Sequence, residues 1–140
     1  MAVRTTTELL DGVLRREVGL LRGRESRRVF DTSVHVGTLG EGDHGFVVAA
    51  RDLPVLDPGL RTDVVEQLLD SSPASWRTMW LVRAGVPEQH DEDLAWLAAG
   101  RTAFGMHDRP FDGCYVLTRT GWRCVLTGRS RTWVRLRLGT

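Results

Sequence analysis

Lysine, isoleucine and asparagine are absent from this sequence, so all nineteen of its basic side chains are arginine. A bias of that kind arises from nucleotide composition alone, and arginine abundance by itself argues little for phosphate recognition. Cysteine is scarce, at two residues in 140. That excludes a disulfide-stapled scaffold and leads us to expect reduced, buried thiols in a cytoplasmic protein. No apolar run approaches the ~20 residues of a membrane span, and the opening Met1-Ala2-Val3-Arg4-Thr5 lacks the apolar core of a secretory signal. No internal repeat, low-complexity tract or linker divides the chain. It reads as one domain over residues 1–140, large enough to bury roughly two-thirds of its unfolded surface.

What is present is an uneven charge layout. Residues 1–30 carry seven Arg against four acids, residues 31–112 six Arg against fourteen, and residues 113–140 six Arg and no acid. The corresponding net charges are +3, −8 and +6 within a chain whose total is +1. Basic ends beside an acidic middle can pair within one fold, pair between subunits, or meet an anionic partner.

Periodicity gives three helices and six strands. Thr5-Thr6-Thr7-Glu8 fits a capping box, and Leu9, Leu10, Val13, Leu14, Val18 and Leu21 carry an amphipathic helix to about Arg22. Residues 28–38 alternate as a strand, residues 46–51 form a second, and the two make a hairpin around the turn at 39–45. Asp57 and Pro58 open a helix along Leu60, Val64, Val65, Leu68 and Leu69 that ends at Ser71-Ser72-Pro73. Residues 75–84 read as a strand apolar on both sides. A third helix runs from near His90 to about Phe104, with Gly105 as its C-terminal cap. Strands at 114–118, 122–127 and 131–138 close the chain as an antiparallel meander. The order αββαβαβββ implies an α+β fold: a two-layer sandwich with helices on one face of a mainly antiparallel six-stranded sheet.

Gly121 placed as the positive-φ residue of a three-residue loop sets the register of that meander. Cys114, Val116, Trp122, Cys124, Leu126, Thr132, Val134, Leu136 and Leu138 then share a core face. Tyr115, Leu117, Arg123, Val125, Arg131, Trp133, Arg135 and Arg137 share the other, which is aromatic and basic. A slip of one residue would exchange the two.

Several chemical signals fail on context. Gly40-Glu41-Gly42-Asp43-His44-Gly45 spells a dinucleotide fingerprint, but a β-branched apolar run follows where the fingerprint needs a helix, and its acids would repel phosphate. His90, Asp91, Asp93, His107 and Asp108 bracket the third helix with ligand-type side chains. No H-x-x-x-H spacing accompanies them, and acids in a first turn serve the helix dipole. Ser33 and His35 share a strand face without a loop or oxyanion signal. We therefore assign no catalytic, cofactor or metal residue. The binding-face candidates are Tyr115, Arg123, Arg131, Trp133, Arg135 and Arg137. The expected function is that of a non-catalytic protein-interaction or self-associating module, a homodimer formed through its sheet or arginine-rich edge. The alternatives are single-stranded nucleic-acid binding through the basic-aromatic face and an enzyme with a pocket near His35, His44, His90 or His107.

Overall fold

The structure, a computed structural model, describes residues 5–136. Helix α1 spans Thr6–Arg24 behind a capping box in which the Glu8 amide donates to Thr5 Oγ1 and the Thr5 amide to the Glu8 carboxylate. Strands β1 (Thr32–Thr38) and β2 (Gly42–Val48) form a hairpin whose loop holds Gly40 at φ +81°. The sequence pattern starts β2 four residues later, and no helix opens in this glycine-rich stretch. A 3-10 turn (Ala50–Val55) leads to α2 (Pro58–Asp70), capped by the Asp57 carboxylate. Strand β3 (Thr78–Val82), helix α3 (Asp91–Met106) and strands β4 (Gly113–Thr118), β5 (Gly121–Cys124) and β6 (Ser130–Thr132) complete the chain. Helix α3 outruns its expected cap at Gly105. Asp108 takes the left-handed position (φ 50°), while the Arg109 amide reaches back to the Phe104 carbonyl.

One six-stranded sheet forms in the order β2-β1-β3-β4-β5-β6, antiparallel except where β3 and β4 run side by side in parallel. The α+β class, the element order and the mainly antiparallel sheet are those the sequence implies. The helices divide between two faces. Helices α2 and α3 cover Val34, Val36, Met79, Leu81, Cys114 and Val116. On the other side α1 lays Leu14, Val18 and Leu21 over Trp80, Val82, Tyr115, Leu117, Trp122 and Cys124. The reason lies in β3 and β4, which are apolar on both faces and need cover on both. Among the described residues no helix is long and apolar enough to cross a membrane.

The meander register differs from expectation by one residue. Thr118 pairs with Gly121, so the β4–β5 loop has two residues, Arg119 and Thr120. The Thr118 hydroxyl accepts from the Thr120 amide and closes the turn without a positive-φ residue. Gly121 serves a different need: a Cβ there would strike the Arg131 carbonyl oxygen on β6. Cys114 and Val116 consequently face α2 and α3, while Trp122 and Cys124 face α1, and the expected single core face does not exist. Strand β6 ends at Thr132 instead of continuing; Thr132 is exposed, Val134 is 98% exposed, and Leu138 lies outside the described residues.

Candidate functional site

The slipped register redistributes the six binding-face candidates. Tyr115 sinks under α1, and burial pushes its phenol up to about 12. Arg123 lies on the α2–α3 side, where it donates to the Pro87 and Gly128 carbonyls, both at 3.1 Å. Arg131 and Trp133 do meet, the guanidinium 5.6 Å from the ring centroid, but Trp133 is half-buried against the α1-side core. Arg135 is exposed, and Arg137 lies outside the described residues. The meander is also tied to α1. Arg129 stacks on Trp122 and donates to both Asp11 carboxylate oxygens at 2.6 Å, and Arg22 donates to the Arg119 and Trp133 carbonyls. Among the described residues these side chains are distributed over two faces and do not assemble an open platform.

The ligand-type residues around α3 are likewise engaged. Asp93 is fully buried and accepts from Arg83 in a two-pronged pair at 2.8 and 2.9 Å, while His107 stands 3.3 Å from Asp70. Among the described residues no three His, Cys, Asp or Glu side chains converge as a metal site. The two cysteines are free and lie on opposite faces of the sheet; burial raises the Cys114 thiol to about 12.

The flank formed by β1 and β2 carries a chain of hydrogen-bonded polar side chains. The Ser33 hydroxyl sits 2.7 Å from His35 Nε2, and Asp43 Oδ2 lies 2.6 Å from His35 Nδ1. The ring stacks parallel to Trp80 at 5.6 Å and lies over Gly45, where a Cβ would come within 2.7 Å of Nδ1. The hydrogen bond from His35 holds the Asp43 carboxyl below its ordinary range. This order of partners matches a nucleophile–base–acid chain. Acyl transfer also needs donors aimed at a developing oxyanion. Ser33 lies in mid-strand between Val47 and Val82, and the amides around it are spent in the ladders to both neighbours. What the chain of bonds does is pin β2 to β1.

Strand β2 is an edge of the sheet, and among the described residues its outer hydrogen-bonding groups meet no other strand. From His44 to Ala50 it carries no Asp, Glu or Arg. Phe46 is 44% and Val47 64% exposed. Beside it, Phe46, Val55, Leu56, Leu60 and Val64 line an apolar hollow of about 420 Å³ with Asp52, Asp63 and Gln67 around it. The opposite edge, β6, is three residues long, with Arg131 at its centre and Arg129 just ahead of it. Natural edges are kept from pairing by shortness and charge; β6 has both, whereas β2 runs for seven residues and is uncharged along its second half. Phe46, Val47, Val55 and Leu60 are absent from the sequence-derived candidates. The signal that finds Phe46 and Val47 is the uncharged run Phe46-Val47-Val48-Ala49-Ala50, which would need cover in a closed sheet; nothing comparable marks Val55 and Leu60. Compared with known proteins, the chain matches no family model, no curated protein and no solved structure.

Proposed function

We propose that the chain is a non-catalytic, self-associating module that joins a second copy of itself edge to edge along β2. The observation that carries this reading is the unblunted seven-residue edge with its exposed Phe46 and Val47. Pairing two β2 strands antiparallel about a two-fold axis at Gly45 sets Asp43 of one copy against Val47 of the other. It also sets His44 against Phe46. No two acids oppose one another, and an aromatic pair forms on the side where the apolar hollow lies. The closing pair continues the sheet through main-chain hydrogen bonds, and Val55 and Leu60 add apolar area beside it.

Light scattering on the full chain at increasing concentration tests this directly. The expected mass is twice that of the 15.7 kDa chain, and Val47→Asp, which sets a like charge against Asp43 of the second copy, weakens association by about tenfold or more. A single-chain mass at the highest concentration, or an unchanged dimer in Val47→Asp, overturns the reading.

A further inference from the structure

A second region of the molecule has the makings of a ligand site, independent of the β2 edge. Strands β3 and β4 run parallel and end together at Val82 and Thr118. In open sheets with helices on both faces, the crevice outside the carboxyl ends of parallel strands is where the departing loops leave room for a ligand. Here three hollows of about 220, 340 and 350 Å³ open at that end, and Phe30, just ahead of β1, lines all three. Their walls come from the end of α1, the loop after β3, the β4–β5 turn and the start of α3.

Charge in this crevice is unbalanced once the existing pairs are removed. Glu25 is held by Arg27, Glu92 by Arg61 and Asp93 by Arg83, which leaves the Asp31 carboxylate, hydrogen-bonded to the Ala50 amide, as the remaining acid of the lining. Arg28 and Arg119 both line the 350 Å³ hollow and make no side-chain hydrogen bond or ion pair among the described residues. Arg119 Nε is shut off from solvent and still lacks an acceptor. A buried donor left unmade is costly, and an oxyanion is the acceptor that would satisfy it best. The rest of the wall is Phe30, Gly85 and Val86, with Thr120 beside Arg119.

We infer that this crevice binds a small organic anion, with a phosphate or carboxylate group between the Arg28 and Arg119 guanidinium groups and a planar apolar body against Phe30 and Val86. The hollow is of the size that takes one such molecule and too small for a polymer to thread.

Calorimetric titration of the full chain with phenyl phosphate, benzoate and uncharged benzyl alcohol tests the inference. One of the two anions saturates at one per chain while benzyl alcohol does not, and the tighter anion names the head group. Arg28→Met and Arg119→Met each weaken that binding by about tenfold or more, while Arg77→Met, exposed just ahead of β3 at the opposite end of the strand from the crevice, leaves it unchanged. Arg28 is exposed, so its variant retains the fold even if Arg119→Met does not. The inference is overturned if neither anion saturates, if benzyl alcohol binds as well as they do, if Arg28→Met binds like the parent, or if Arg77→Met weakens binding as much as Arg28→Met.

Discussion

Arg83 and Asp93 stand almost wholly out of water, and each is tolerable there only because of the other. Arg83 gives its remaining N–H groups to the Ala84, Val86 and Glu88 carbonyls, and Asp93 also accepts from the His90 amide. One ion pair thereby fixes the loop from β3 to α3 and the first turn of that helix. Asp93→Asn keeps the shape and removes the charge, stranding the guanidinium. The expected loss is about 3 kcal/mol, at the low end for breaking a buried pair, read as a lower urea midpoint with an unchanged slope; a loss under about 1 kcal/mol would mean the pair is close to neutral. The sequence shows Asp93 as one of three acids in a first helical turn and Arg83 as one arginine of nineteen. Nothing in that pattern reveals that they meet, because the loop between them is shaped by the pair itself.

Whole elements were more legible than their registers. The caps at Thr5 and Asp57 and the apolar stripes of α1 and α2 locate those helices directly, since one short stretch of chain contains both donor and acceptor. The β4–β5 turn is different. Two-residue and three-residue closures compete there, and the choice rests on the Thr118 hydroxyl and on how closely β6 approaches Gly121. That approach gives Gly121 and Gly12 opposite fates. Gly121→Ala drives a methyl group into the Arg131 carbonyl and should destabilise by about 1–3 kcal/mol. Gly12→Ala, in mid-helix with open space around it, should stabilise by about 0.5–1 kcal/mol. Thermal midpoints shifting in opposite directions would check both, and a shift of the same sign would refute the steric account of Gly121.

Across the whole molecule, the fold joins what the sequence separates. Helix α1, from the +3 segment, packs on β4 and β5 from the +6 segment, while α2 and α3 belong to the −8 segment on the opposite layer. The protein is therefore electrically two-sided, and the pairing within one fold is partial: Asp11 meets Arg129 across the basic layer, and Arg61 meets Glu92 within the acidic one. The segment charges could be counted from the chain. Their stacking depended on which face α1 chose, and that followed from a one-residue register.

The placement of the two thiols also lets them act as separate witnesses to how the protein comes apart. Cys124 is sealed by α1 and Cys114 by the α2–α3 layer, so an alkylating reagent reaches each only when its own cover lifts. Truncating Leu14, which packs in the α1-side core, to alanine should hasten labelling of Cys124 well ahead of Cys114. Peptide mass spectrometry distinguishes the two sites, and equal acceleration would mean that both covers detach in a single cooperative event.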